Sequence, residues 1–174
     1  SDTGQLVVVP FLRSRGIRTV DRVVVSHDAD DHKGGAGSVL VLMGAGAVTL
    51  GPSLPADALD GSRAQLIRDT CRRGEAWSWN GVGFRWMHPG DVGYQRDNDS
   101  SCVLLVRAGG HTALITGDIE AEAERDMARE GALAAVDIVI VPHHGSRTSS
   151  TQEFVTASRP RWASSSARIP TIPT

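Results

Sequence analysis

The chain has 174 residues, 40% of them hydrophobic, enough for one core of ordinary size and with nothing that demands a second domain. A formal charge of -2 and a pI near 6.3 give no electrostatic case for a broad nucleic-acid surface, although a local groove can still be basic. No apolar run reaches the ~20 residues that span a bilayer, and Ser1-Asp2-Thr3-Gly4 is no signal peptide. Cys71 and Cys102 lie far apart with no partner cysteine nearby, so neither a disulfide framework nor a zinc ribbon is expected.

Both ends read as cut. Asp2-Thr3-Gly4 resembles the end of a strand entering a turn, and 168–174 carries two prolines with no period, as in an irregular tail. Between them, Val7 to Arg15 reads as a helix closed by Gly16, Arg22 to Ser26 as a strand, Gly35 to Leu42 as a helix packed behind it, and Val48 to Gly51 as a short strand. Arg63 to Arg73 has Ala64, Leu66, Ile67 and Cys71 near one helical face. Strands follow at Ala76 to Trp79 and Gly83 to His88, joined by the hairpin signal Asn80-Gly81. A second hairpin, Cys102 to Arg107 and Thr112 to Thr116, turns at Gly109-Gly110. An acidic helix from Ile119 to Glu130, a strand from Ile138 to Val141 and a helix from Gln152 to Ser158 complete an α/β order.

Polar clusters fall where three apolar runs stop. His27-Asp28-Ala29-Asp30-Asp31-His32 follows Val23-Val24-Val25-Ser26 and precedes Gly34-Gly35; packing does not explain such a run. Thr116-Gly117-Asp118 follows Ala113-Leu114-Ile115, and Pro142-His143-His144-Gly145-Ser146 follows Ile138-Val139-Ile140-Val141. If these strands are neighbours, the clusters converge. Imidazole with carboxylate and no thiolate suits zinc, manganese or iron.

Ordinary roles exist for several of these residues. Asp118 can cap a helix starting at Ile119, and His143 can be a buried imidazole bonded to backbone. His88 and His111 read as structural or exposed, Asn98-Asp99-Ser100 as a polar turn, and Arg72-Arg73 as a solvated helix end. Trp77, Trp79, Trp86 and Trp162 read as core or sheet cover rather than as base-stacking platforms.

These ordered motifs resemble the metallo-β-lactamase superfamily, whose signature is a His-x-His-x-Asp-His loop, an isolated aspartate after a later strand and a final histidine after another. Val9-Pro10-Phe11-Leu12-Arg13-Ser14-Arg15-Gly16, Asn98 to Leu104, Leu114 to Glu120 and Val141 to Ser146 are similar to the ComEC family of DNA-internalisation competence proteins. The resemblance implies an αββα sandwich, truncated at both ends, with 1–174 as one domain of a longer membrane protein. It implies one metal between Asp31, His32, Asp118 and His144, the last favoured over His143. A second site would use His27, but the second histidine of the loop is Ala29, so one or two zinc or manganese ions are expected, the second weakly held. Asp31 and His143 are the catalytic candidates, with Ser146, Arg147, Thr148 and Ser149 as phosphate contacts.

The implied function is a metal-dependent nuclease cleaving DNA phosphodiesters while one strand is imported. The implied partners are single-stranded DNA, the membrane channel portion of the same polypeptide and other competence proteins. The domain would be soluble and attached to the bacterial inner (cytoplasmic) membrane, on a side the sequence leaves open. Two alternatives stand beside it: a hydrolase of a lactone, thioester or small phosphodiester, and a non-catalytic DNA-binding or structural module, for which Ala29 is the argument.

Overall fold

A computed structural model describes residues 2–59, 66–91 and 93–166. Two sheets carry the fold. The first holds three parallel strands, β1 (Arg22–Val25), β2 (Ala47–Leu50) and β3 (Ile67–Thr70), in the order β1-β2-β3. The second holds β4 (Ala76–Trp79), β5 (Val82–His88), β6 (Val103–Ala108), β7 (His111–Ile115), β8 (Ile138–Ile140) and β9 (Trp162–Ser164), neighbours in chain order. β4 to β7 pair antiparallel, whereas β7, β8 and β9 run parallel.

Helices cover the outer face of each sheet. A π turn at Gly4–Val8 runs into α1 (Val9–Ser14), and α2 (Asp30–Lys33) and α3 (Ala36–Leu42) follow β1. Val25, Val48 and Leu50 pack on Ala36 and Leu40, while Val9 meets Val39 and Met43. On the second sheet, Leu105, Leu114 and Val139 pack on Ile119, Ala123, Met127 and Phe154, from α4 (Ala121–Arg129), the turn before it and α5 (Gln152–Ser158). The result is the αββα sandwich.

Turn chemistry decides the hairpins. Asn80 and Gly81 have φ of 49° and 82°, and Gly109 and Gly110 have φ of 56° and 82°, the left-handed pairs that match strand twist. The opposite faces of β7, β8 and β9 leave Ile115, Ile138, Ile140 and Trp162 exposed, aligned as Ile115 with Ile140 and Ile138 with Trp162. Among the described residues no helix is long and apolar enough to cross a membrane.

Four expectations are corrected. Asp2-Thr3-Gly4, read as the end of a strand, opens a helical segment instead, with Thr3 helical and the π turn starting at Gly4. Of the helix expected over Arg63 to Arg73, Ile67–Thr70 form strand β3 and Leu66 and 71–73 are neither helix nor strand, while 60–65 lie outside the described residues. Asp69 explains the change, since its carboxylate accepts from Thr49 Oγ1 and from Arg22 Nη1, both at 2.5 Å, which fastens this segment to β1 and β2. Ile67, counted toward an apolar helix face, is 64% exposed. Cys71 and Cys102 form a disulfide, buried beside Trp86. Asp118 does not cap the next helix, because Glu120 is extended and α4 starts at Ala121. Its cap comes from buried Asp99, whose Oδ1 accepts from Glu120 N at 2.8 Å and Ala123 N at 3.2 Å. The irregular tail expected at 168–174 lies outside the described residues. Of the tryptophans, Trp86 is core and Trp77 stacks on Phe84 with ring centroids 5.2 Å apart.

Candidate metal centre

β1 delivers the first cluster. After buried Val25 the chain passes Ser26 and fully buried His27, extends through Ala29, and closes the single turn of α2, which places Asp31 and His32 side by side. The glycines behind this loop permit a close approach: a Cβ on Gly35 would stand 2.3 Å from Gly4 N, so the N-terminal segment crosses here backbone to backbone. Asp118 follows Gly117, whose φ of 56° and neighbours Ser101 and Ser26 leave no room for a side chain. The third cluster is a left-handed pair, with φ of 46° at His143 and 55° at His144.

This pair sends two adjacent rings to different walls. His144 turns to Asp118 and Asp31, its Nε2 3.3 Å from Asp118 Oδ2 and 3.4 Å from Asp31 Oδ2. His32 Nε2 stands 3.2 Å from the same Asp118 oxygen. One ligand atom from each of Asp31, His32, Asp118 and His144 lies within 4.8 Å of the others, a spacing a single divalent ion can bridge. Asp118 is buried, whereas the Asp31 side chain is 66% exposed and forms the open rim.

The histidines are prepared as nitrogen ligands. Ser26 Oγ lies 3.0 Å from His27 Nδ1 and 3.2 Å from His32 Nδ1, and Ser166 Oγ lies 2.6 Å from His144 Nδ1. A hydroxyl oxygen has two lone pairs, so Ser26 can accept from both Nδ1–H groups and leave both Nε2 lone pairs free. The Nε2 atoms of His27, His32 and His144 are all buried without a hydrogen-bond partner. Buried orphan nitrogens beside two carboxylates fit a divalent cation better than they fit a packed core.

Electrostatics agree. The Asp118 carboxylate beside His32 raises that imidazole's pKa, while burial, then the neighbouring His32, lowers that of His27. Burial pushes Asp118 upward, but His32 and the charges of His144 and His27 outweigh it and hold the carboxyl below its usual range. A metal bound here would compete with a proton for the His32 imidazole.

A second ion is less well provided for. His27 stands outside the set of four, although its ring centroid is 4.3 Å from that of His32, and Ala29 offers only a methyl group. Asp28 pairs with Lys33 and the Asp30 side chain is fully exposed, so neither replaces the missing ligand.

His143 occupies the other wall. Its Nδ1 lies 3.0 Å from Glu120 Oε1 and 3.3 Å from Thr148 Oγ1. Glu120 is fixed by Arg96 Nη1 at 2.6 Å and Asn98 Nδ2 at 3.1 Å. Burial pushes its carboxyl up, yet bonds from Asn98, Arg96 and Thr148 hold it below the usual range. Thr148, Ser149, Arg147 and Arg96 line an adjoining cleft of about 570 Å³, in which Arg147 and Thr148 are exposed. Ser149 is tied down, its hydroxyl donating to Pro142 O at 2.9 Å, and Ser146 Oγ lies 3.0 Å from Thr148 Oγ1. His88 is structural, with Nδ1 2.8 Å from Ser101 O, and His111 is exposed.

Glu120, Ser26 and Ser166 have no site role in the sequence reading, and Asp99 stands there only as part of a polar turn. Glu120 had a signal in its place two residues after Asp118, at the end of the family-like run Leu114 to Glu120.

The model of the metallo-beta-lactamase superfamily matches residues 2–161. "Recombination protein 2" of Haemophilus influenzae is 34% identical over 159 residues, which are 90% of this chain and 18% of that protein. "Competence protein ComA" of Neisseria gonorrhoeae is 33% identical over 172 residues, 95% of this chain and 23% of that protein. The chain therefore spans about a fifth of the length of these relatives. Among solved structures, CmlA, a diiron beta-hydroxylase from Streptomyces venezuelae, superposes with a TM-score of 0.55 at 16% identity, over 84% of this chain and 35% of that one, a likeness of fold. With the sandwich, the cage and a family match over most of its length, the chain belongs to the metallo-β-lactamase superfamily, as a domain related to competence proteins of the ComEC family.

Proposed function

We propose that this domain is a metal-dependent phosphodiesterase of a DNA-uptake protein, cleaving single-stranded DNA. The observation that carries the reading is the cage itself: the buried Nε2 atoms of His32 and His144 face the carboxylates of Asp118 and Asp31, and these four residues stand close enough to share one ion. His27 would serve a second, weaker site. Zinc or manganese matches this donor set. When bound, such an ion polarises a phosphoryl oxygen and makes water nucleophilic at neutral pH.

The chain's own groups supply the rest. The outer oxygen of Asp31, at the exposed rim, accepts a proton from the attacking water. His143, with Nδ1 held by Glu120, donates from Nε2 to the departing alkoxide. Arg147 and Thr148 contact phosphate oxygens in the adjoining cleft, with Ser146 and Ser149 shaping that wall. The relatives named for recombination and competence support DNA as substrate, with the channel portion of the same polypeptide and other competence proteins as partners. The same kinship supports attachment to the inner membrane, and the Cys71–Cys102 disulfide favours its oxidising face.

Ala29 favours a second reading, a DNA-binding or structural module that has lost turnover. Metal content after reconstitution with zinc or manganese, together with manganese-dependent cleavage of single-stranded DNA, separates the two. The phosphodiesterase reading expects at least one ion per chain, lost in Asp118→Ala, and higher activity in Ala29→His. Retained ion without turnover in either protein would establish the second reading, and turnover of small esters alone would mark a hydrolase of another substrate.

A further inference from the structure

We propose that the outer face of the N-terminal helix is a docking surface for an anionic lipid bilayer. The helix from Gly4 through α1 is held by its inner face, where Gly4 and Val9 are buried and Leu12 packs with Val9 against Val39 and Met43. Its outer face is apolar and bare: Leu6, Val7 and Phe11 are 66%, 58% and 55% exposed. The exposed end of α3 extends this surface. Arg13 Nη2 donates to Leu42 O at 3.1 Å, which sets Val41 and Leu42 beside the end of α1, and exposed Ile17 follows. Scattered apolar side chains on a surface need no explanation, but a contiguous set on one helix does.

Charge selects the occupant. From Thr3 to Val20 the chain has three arginines, Arg13, Arg15 and Arg18, and no acidic residue, although the whole molecule carries -2. All three are exposed, and among the described residues none has an acidic partner. Arg15 lies over the Phe11 ring, 5.4 Å from its centroid, so cation and apolar side chain form one surface. A helix with Leu, Val and Phe on the exposed side and arginines at its end, Arg13 in its last turn, Arg15 at its cap and Arg18 just beyond, suits the boundary between headgroups and acyl chains, where arginine stems lie along lipid and their heads meet phosphate. A second copy is a poorer fit, because a two-fold interface would set the arginines of one copy against those of the other. The helix is already folded onto α3, so docking requires no ordering of chain.

The test is co-sedimentation of the 174-residue chain with phosphatidylcholine vesicles, with and without phosphatidylglycerol, alongside sedimentation velocity of the free protein. The expected result is binding that requires phosphatidylglycerol and weakens with salt. Each Arg→Gln change at Arg13, Arg15 or Arg18 should lower partitioning about fivefold, and the three together about a hundredfold. Phe11→Ser should also release the protein while leaving its melting temperature unchanged. Absence of binding, or equal binding to both vesicle types, overturns the proposal. A concentration-dependent dimer dispersed by Phe11→Ser would overturn it too, by giving the face to a second copy.

Discussion

Cys71 and Cys102 form a disulfide that joins the residue after β3 in one sheet to the residue before β6 in the other, with Cα atoms 5.9 Å apart. Asp31 and His32 follow a strand of the first sheet, and Asp118 and His144 follow strands of the second. The bond therefore ties together the two halves of the cage. With a sequence separation of 31, its loss should cost roughly 3 to 4 kcal/mol through chain entropy, and metal retention should fall with it. Urea unfolding with and without a thiol reductant, repeated on Cys71→Ser/Cys102→Ser, measures this. Identical curves would mean that the cysteines are unpaired in solution.

The proposed reaction has Glu120 act through His143, a role that the choice of leaving group tests. An alkoxide must be protonated as it departs, whereas p-nitrophenolate leaves without a proton. Glu120→Gln is expected to slow cleavage of an oligonucleotide by about 10²-fold in kcat while changing bis(p-nitrophenyl) phosphate hydrolysis little. His143→Ala should show the same split. Equal losses on both substrates would assign Glu120 a structural role.

A methyl group at Gly117 should harm both the fold and the metal site. Its φ of 56° strains any other residue, and an added Cβ would meet Ser101 Cβ at 2.8 Å and Ser26 Cβ at 3.2 Å. Gly117→Ala should cost about 2 kcal/mol or more. Because Ser26 orients His27 and His32 and Asp118 follows Gly117, bound metal should fall too. Thermal unfolding and elemental analysis on one preparation check both effects.

His88 makes stability depend on pH. Burial lowers its pKa, with Arg73 adding to this, while the Ser101 carbonyl, Asp99 and Glu130 oppose it; the Tyr94 ring packs alongside. The folded pKa thus lies below the ordinary value of 6.5, so the neutral imidazole's contribution is complete above that pH and is lost as pH falls through the folded pKa. His27 shares this direction and His32 has the opposite one, so the informative quantity is the difference between variant and parent. In the metal-free protein, His88→Asn should flatten the fall in urea midpoint between about pH 7 and about pH 5. An unchanged slope would show that His88 titrates normally.

Each of the three loops was legible because it spends ionisable residues where a buried strand ends, a pattern that packing does not require. Asn80-Gly81 and Gly109-Gly110 were legible because two-residue hairpins need left-handed backbone. What stayed hidden depends on partners distant in the chain. The segment 63–73 has helical apolar spacing, and only pairing with β2, with Arg22 and Thr49 gathered on Asp69, makes Ile67–Thr70 a strand. The disulfide needs the two sheets to be stacked before its cysteines meet. Asp99 is a polar turn residue in sequence and a helix cap only once α4 sits above it. Ser26 is an ordinary strand end until two imidazoles close on its oxygen.

The left-handed pair His143-His144 works as a partition one peptide thick. In the proposed reaction it would keep proton transfer and cation on opposite sides without any intervening side chain, because neighbouring Cα atoms aim their rings at Glu120 and at Asp118. Loop length between Val141 and Gly145 is therefore as much a determinant of chemistry as residue type. Dropping a single residue there would bring the wrong imidazole to the cage and leave every other ligand in place.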